Sequence, residues 1–159
     1  MSERAALRLG ALLALVWAAA ALAAVHPEAI GLFHDDGIYL ATGKALAAGE
    51  GYRQIHLPGA PYQTKYPPLW PALLAVTWKV APDFPANVLI FKALGIALWA
   101  LVLPATQRLA LRTAGLSPAA SLAAPALLAA SPILFASTNF ALSEPLFALL
   151  STLVLLTLA

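Results

Sequence analysis

The stretch HDDGIY, residues 34–39, opens the only polar segment of any length in an otherwise apolar sequence. It places two neighbouring carboxylates, Asp35 and Asp36, shortly after the end of a predicted apolar helix over residues 5–25. Carboxylates are costly to keep at the edge of the hydrocarbon layer of a membrane, so in a membrane protein they mark a candidate functional site. The rest of the chain can be read outward from this pair.

Composition places the chain among membrane proteins. Hydrophobic residues make up 62% of it and charged residues 10%, against roughly 45–50% and about 25% in soluble domains. The charges cluster between long apolar runs, so most predicted helices are apolar all round. We therefore expect an all-α integral membrane protein, a multi-span helical bundle whose outer first loop contains interfacial juxtamembrane helices.

Two classes of function lack support in the sequence. The chain has no cysteine, which excludes disulfide bonds and thiolate metal sites. Its net charge of +2 is small, and no basic cluster is interleaved with aromatic residues. Nucleic acid is therefore not an expected partner.

Four segments are predicted to span the membrane. They cover residues 5–25, 87–107, 118–136 and 143–159. Arg4 and Arg8 precede the first span, so the positive-inside rule places the N-terminus in the cytoplasm. A cleaved secretory signal is the alternative, because a basic start, an apolar run and small residues before Val25 fit that pattern too. No cap or basic anchor closes the last span, and we expect the chain to be the N-terminal part of a longer protein.

The outer loop, residues 26–86, is predicted to hold a first juxtamembrane helix over about 36–48. Asp36 is expected to cap its N-terminus. The helix is rich in Ala and Leu and carries Thr42 and Lys44, so we expect it to lie flat at the membrane surface.

A second juxtamembrane helix is predicted over 68–80, after an irregular loop rich in Gly and Pro. Its apolar run is short for a span. Trp70, Trp78 and Lys79 are expected to anchor it at the interface between membrane and water.

The placement of this second helix decides which charges share a compartment. If helix 68–80 crosses the membrane, Arg108 and Arg112 lie outside and Glu144 lies inside. If it stays in the outer interface, the arginines are cytoplasmic and Glu144 emerges on the side of the acidic pair. The positive-inside rule favours the second topology. We therefore expect a protein of the inner or plasma membrane whose acidic loop faces outward.

Three short motifs, taken together and in order, resemble a known family. They are Asp35-Asp36-Gly37-Ile38-Tyr39, Lys65-Tyr66-Pro67-Pro68-Leu69 and Ser143-Glu144-Pro145-Leu146-Phe147. With the Ala-Leu-Ala-Ala-Gly run between the first two, they resemble the N-terminal part of the polytopic GT-C glycosyltransferases. The nearest branch is the protein-mannosyltransferase and aminoarabinose-transferase group, including proteins with the bacterial RgtA/B/C/D-like domain.

The resemblance implies transfer of a sugar from a polyprenyl-phosphate donor to an acceptor hydroxyl on the outer face of the membrane. The acceptor would be a lipid, a glycan or a protein. By position, Asp35 would be the catalytic base and Asp36 its partner in acceptor positioning or metal binding. A divalent cation, Mg²⁺ or Mn²⁺, is a possible cofactor on these two acids, since Mg²⁺ often takes one or two carboxylates plus phosphate.

The same resemblance implies four substrate-binding residues. Lys65 would approach the donor phosphate ahead of the Pro-Pro helix, and Lys92 would meet phosphate at the start of the next span. Tyr39 and Glu144 complete the candidate set. The residue types suit the chemistry, because deprotonating a hydroxyl needs a carboxylate within about 3 Å. A departing phosphate needs cations to offset its developing charge.

Structural roles are the alternatives for each of these residues. The acidic pair could be a helix cap beside a solvated acid, and Glu144 a first-turn acid that complements a helix dipole. Lys65 and Lys92 could be membrane-interface lysines. The alternative function is a non-catalytic small membrane protein, or an accessory subunit that binds lipid-linked sugar. A transporter comes third, because no inverted repeat is visible.

Overall fold

The computed structural model describes residues 1–27 and 30–159, and within them the chain is all-α. The helices are α1 Glu3–Ala24, α2 His34–Ala47, α3 Leu69–Val80, α4 Val88–Thr113, α5 Ala123–Ala129, α6 Pro132–Ser137 and α7 Glu144–Leu158, with a 3-10 turn at Ala120–Leu122. The described residues form no β-strand, only an isolated antiparallel bridge between Arg53 and Tyr62. The all-helical part of the predicted fold is thus confirmed.

The chain divides into two compact units. The first, which we call the long-helix unit, comprises Met1–Val25, Leu94–Thr138 and Glu144–Ala159. The second, the acidic unit, comprises His26–Ala93 and Asn139–Ser143 and contains the acidic pair.

Two helices, α1 and α4, are long and apolar enough to cross a membrane. They have 22 and 26 residues, against the roughly 20 that a spanning helix needs. Within the long-helix unit, α1 packs through a cluster of buried apolar residues, which comprises Ala14, Trp17, Ala21, Ile96, Leu103 and Leu134. The Phe135 ring meets the Trp17 ring edge to face, with centroids 6.0 Å apart.

A buried amide ties α4 to α1 inside this apolar packing. Gln107 is fully buried, and its Nε2 donates to the carbonyl of Ala6 at 3.0 Å and to Ser121 Oγ at 3.3 Å. The side chain fits because position 10 is glycine: a Cβ there would lie 2.8 Å from Gln107 Cδ and closer still to its Oε1. Gly10 of α1 therefore leaves the space that the Gln107 side chain occupies.

The span predicted over 118–136 is not a single helix, and whether it crosses a membrane stays a prediction. The structure has a 3-10 turn, then α5 Ala123–Ala129, and a separate α6 Pro132–Ser137. Ser131 has extended backbone, and its hydroxyl accepts from the Leu134 N–H at 3.3 Å as the N-cap of α6. The residue before a proline disfavours helical backbone, and a capping serine before a first-turn proline is a helix start. The Ser131-Pro132 pair therefore ends one helix and begins another.

In the acidic unit, α2 and α3 pack closely. A Cβ at Gly43 would lie 3.0 Å from the Pro71 carbonyl and 3.1 Å from Leu74 Cβ, so the two helices approach at a glycine. Lys44 is the one exposed residue of α2 among those whose side chains are described. The expectation that α2 lies flat at the membrane surface stays a prediction.

The two α3 tryptophans face protein. Trp70 donates its indole N–H to the Ala141 carbonyl at 2.8 Å, and Trp78 donates to the Leu40 carbonyl at 3.0 Å. Both side chains are buried. The expectation that they anchor α3 at a membrane interface is therefore wrong, because each indole satisfies its donor inside the acidic unit.

Candidate active site

The acidic pair lies in the first turn of α2, whose N-cap lies three residues earlier than expected. The N-cap is Phe33, and no side chain caps the helix. Asp36 is therefore not the cap that the sequence suggested. Successive residues of an α-helix point about 100° apart, and here this rotation separates the two acids: Asp35 is partly exposed, whereas Asp36 is fully buried.

Asp36 is held inside the unit by the backbone of the segment that precedes α2. Its Oδ2 accepts from the Gly31 N–H at 2.9 Å, and its Oδ1 has no hydrogen-bond partner among the described residues. Burial raises the pKa of Asp36 from its ordinary value of 3.8, although backbone N–H groups and the charge of Lys92 act in the opposite direction. Burial thus makes the charged form of Asp36 less favourable than it is in water.

Asp35 is part of a hydrogen-bonded series that reaches the surface. The Tyr66 hydroxyl donates to Asp35 Oδ1. The Lys65 ammonium donates in turn to the Tyr66 hydroxyl at 2.6 Å, and this hydrogen bond is the main cause of the raised pKa of Lys65. Lys65 itself is exposed. We call Asp35, Tyr66 and Lys65 the surface triad.

Several contacts fix Tyr66 in this position. Its ring packs edge to face on Tyr39, with centroids 5.0 Å apart. The Tyr52 hydroxyl donates to the Tyr66 carbonyl at 3.0 Å. Burial raises the pKa of Tyr52 above its ordinary value. One residue earlier, the Lys65 N–H donates to the Oε1 of buried Gln63 at 2.8 Å.

Tyr39, a candidate substrate-binding residue, is buried beneath this arrangement. It follows Asp35 by four residues on α2, so the two side chains lie on the same side of the helix. Its hydroxyl lies 3.1 Å from Ser143 Oγ. The structure therefore brings Tyr39 to the site as a packing partner of Tyr66, with its side chain 5% exposed.

Lys92, another candidate, is also enclosed. Its side chain is fully buried, and its Nζ donates to the His26 carbonyl at 2.5 Å. The neighbouring His26 N–H donates to Asn139 Oδ1 at 2.9 Å. In this structure Lys92 holds backbone inside the acidic unit, and its full burial leaves no exposed ammonium for a phosphate to meet.

Glu144 belongs to the long-helix unit. It is exposed in the first turn of α7, where a carboxylate complements the positive end of the helix dipole. Its suggested role beside the acidic pair stays a prediction.

The acidic pair does not fit a metal held by protein ligands alone. No group of three or more His, Cys, Asp or Glu side chains comes together in the described part of the chain. Asp36 is enclosed, and the oxygen of Asp35 that faces Tyr66 is already accepting a hydrogen bond. A divalent cation needs more oxygen ligands than this pair offers. The possible cation stays a prediction.

Tyr66 was missed as a site residue, although its neighbour Lys65 was selected. Its position before Pro67-Pro68 was a usable signal, because a residue before proline is driven to extended backbone. In extended backbone, neighbouring side chains point to opposite sides, but this does not identify the residue that either of them contacts. The contact with Asp35 joins residues 31 positions apart, and only the fold brings them together.

The chain matches no protein-family model, no curated protein and no solved structure. The resemblance to GT-C glycosyltransferases therefore rests on the motifs quoted from the sequence.

Proposed function

We propose that this chain is the N-terminal part of a GT-C-type membrane glycosyltransferase. It would move a sugar from a polyprenyl-phosphate donor to an acceptor hydroxyl on the outer face of the inner or plasma membrane. The observation that carries the proposal is the surface triad, in which a carboxylate and an exposed ammonium are joined through one tyrosine hydroxyl. This is the pairing of base and cation that transfer from a phosphate requires.

A membrane location is supported by the long helices and the residues that they expose. Helices α1 and α4 are long enough to cross a membrane. Several large apolar side chains of α1 are more than half exposed, namely Leu12, Leu15, Val16 and Leu22. Exposed apolar surface of this kind suits a lipid environment. In the proposed topology the N-terminus is cytoplasmic and residues 26–86 are outside. The pair α5–α6 and then α7 complete a four-crossing bundle.

The proposed reaction uses Asp35 as the base. The acceptor hydroxyl gives its proton to the Asp35 carboxylate while its oxygen forms a bond to the anomeric carbon of the sugar. The bond from that carbon to the phosphate oxygen breaks, and the electron pair leaves with the polyprenyl phosphate. The exposed ammonium of Lys65 offsets the charge that develops on the phosphate.

Asp36 takes a different role from the one that the resemblance implies. Its carboxyl is fully buried and bonded to the Gly31 N–H, so it would support α2 and the preceding segment without touching the acceptor. Asp36 is therefore proposed as a positioning residue and Asp35 as the catalytic one.

The test of the base is Asp35→Asn in the full-length protein, assayed in membranes of its own cells from which the chromosomal copy has been deleted. Transfer of sugar to the envelope acceptor is expected to fall about 10²- to 10⁴-fold, the usual contribution of general-base catalysis. Asp83→Asn is the matched control, because Asp83 is an exposed acid in the same unit. Equal transfer by the two variants would end the assignment of Asp35.

The second candidate function is an accessory protein that binds lipid-linked sugar without turning it over. It is favoured by one observation: within the surface triad, the charges of Asp35 and Lys65 already satisfy each other through Tyr66. This alternative gains support if deletion of the gene removes no glycan, while the purified protein still binds undecaprenyl phosphate in a way that depends on Lys65.

A further inference from the structure

We propose that Tyr66 is a positioning residue that couples the donor-phosphate site to the catalytic base. Binding of a phosphate at Lys65 then changes the basicity of Asp35 before transfer begins. The proposal rests on the function proposed above and adds to it a residue and a direction of control.

The first ground is the geometry of the Tyr66 hydroxyl. It accepts from Lys65 Nζ at 2.6 Å and donates to Asp35 Oδ1. Neighbouring hydrogen bonds in such a series polarise one another, so a hydroxyl that accepts from an ammonium becomes a stronger donor. In the absence of substrate, Lys65 thus strengthens the hydrogen bond that Tyr66 makes to Asp35.

The second ground is that Tyr66 is held from several sides. Tyr39 packs on its ring, Tyr52 binds its carbonyl, and two prolines follow it in sequence. Lys65, in contrast, is exposed and has a long flexible side chain. When the two separate, Lys65 is therefore the one that moves, and Tyr66 stays beside Asp35.

These two grounds give the direction of the coupling. A phosphate attracts the Lys65 ammonium, since a phosphate oxygen carries more charge than a tyrosine hydroxyl. The Tyr66 O–H then becomes a weaker donor to Asp35, and a carboxylate that receives a weaker hydrogen bond is a stronger base. Donor binding would thus activate the base, while Tyr66 keeps the carboxylate in its orientation.

The experiment compares Tyr66→Phe with wild type in the full-length protein. The substitution removes the hydroxyl and keeps the ring that packs on Tyr39. We expect transfer in native membranes at neutral pH to slow about tenfold, because the carboxylate loses its fixed orientation. The pH at which transfer falls to half on the acid side should rise by about one unit, because the carboxylate loses a hydrogen bond.

A binding measurement distinguishes coupling through Tyr66 from a purely structural role of Tyr66. Undecaprenyl phosphate alone, in vesicles of phosphatidylethanolamine and phosphatidylglycerol, serves as the probe. Tyr66→Phe should change its Kd less than about threefold, whereas Lys65→Ala should weaken binding clearly. Tyr62→Phe is the matched control, since it removes a hydroxyl from an exposed tyrosine of the same loop. It should leave the rate, the pH profile and the Kd unchanged.

The outcomes distinguish this inference from the function on which it rests. If Asp35→Asn is inactive while Tyr66→Phe has the wild-type rate and pH profile, the coupling is overturned and the base stands. If Tyr66→Phe slows transfer without moving the acid limb, or loses undecaprenyl phosphate binding, Tyr66 is only a scaffold and the coupling is equally overturned. If Asp35→Asn is fully active, the proposed base falls and the coupling falls with it.

Discussion

The long-helix unit and the acidic unit arrange their polar side chains in different ways. In the long-helix unit, Gln107 donates to the Ala6 carbonyl and to Ser121 Oγ, and all of these atoms belong to helices or the 3-10 turn. In the acidic unit, Asp35 is linked through Tyr66 to the exposed ammonium of Lys65. The first network is closed, whereas the second ends at the surface.

The difference separates polar groups that hold the fold together from polar groups that can take part in a reaction. A buried amide bonded to backbone specifies one arrangement of helices, and its loss leaves unpaired groups. A carboxylate connected to a surface cation can meet a substrate and respond to it. Substitutions in the closed network should therefore change stability, whereas substitutions in the surface triad should change transfer more than stability.

The largest effect on stability is expected from Gly10→Ala in the closed network. The added Cβ would lie 2.8 Å from Gln107 Cδ, and overpacking of this kind costs about 1–3 kcal/mol. Thermal unfolding in detergent, followed by circular dichroism, measures the loss. Adding Gln107→Ala to this variant should recover part of it, because the second change removes the overlapping atoms.

Gly95→Ala is the matched control, since a Cβ at that position would meet nothing within 4 Å. It should leave stability unchanged or raise it by up to about 1 kcal/mol, the gain of alanine over glycine in a helix. Equal destabilisation by the two alanines would contradict the close contact between Gly10 and the Gln107 side chain.

A smaller loss of stability is expected from substitution of Asp36, which, like Gln107, is a fully buried polar residue. Asp36→Ala removes the acceptor of the Gly31 N–H, and a buried donor left unpaired costs about 1–3 kcal/mol. Removal of a buried charge offsets part of this cost, so the net loss should be below that of Gly10→Ala. Asp36→Asn keeps an acceptor oxygen and should be closer to wild type in thermal unfolding.

The comparison of these two variants tests what holds Asp36. If Asn is as destabilising as Ala, the charge of Asp36 opposite Lys92 matters more than the bond to Gly31. The buried Asp36 side chain would then be held mainly by the attraction between its charge and that of Lys92.

The smallest expected effect is the pH dependence that Asp36 contributes to stability. Its pKa in the folded chain is raised above 3.8 by burial, so the folded state binds this proton more readily than the unfolded state does. The contribution is fully present below pH 3.8 and is lost as pH rises through the higher folded pKa. The thermal unfolding midpoint is measured for wild type and Asp36→Asn over this pH range. The midpoint of Asp36→Asn, relative to that of wild type, should therefore rise as pH rises. A difference that is constant with pH would show that Asp36 titrates alike in both states.

Much of the helical order was predictable because its causes are local. The prediction of a helix over 68–80 corresponds to α3 Leu69–Val80, and those over 5–25 and 87–107 correspond to α1 and to most of α4. In each case a mainly apolar run is bounded by polar or turn residues. The division at Ser131-Pro132 was equally local and was missed, because the surrounding run is apolar on both sides.

The roles of individual site residues were less predictable. Lys65 was selected as a cation near a phosphate, and it lies exposed beside Asp35 and Tyr66. Tyr39 and Lys92 were selected as substrate ligands, yet both are buried among protein atoms. Tyr66 was not selected at all. Sequence motifs identify which residues are near a site, but not which of them face it.

The sequence by itself determined the helical class, the apolar long helices and the position of the acidic pair at the start of α2, because each depends on neighbouring residues. Only the tertiary structure decided that Asp36 is enclosed while Asp35 meets Tyr66. The two acids are identical in type and adjacent in sequence, and the helix turns them about 100° apart. Which one reaches the surface is therefore set by Gly31 on one side and by Tyr66 on the other, and both contacts exist only in the folded chain.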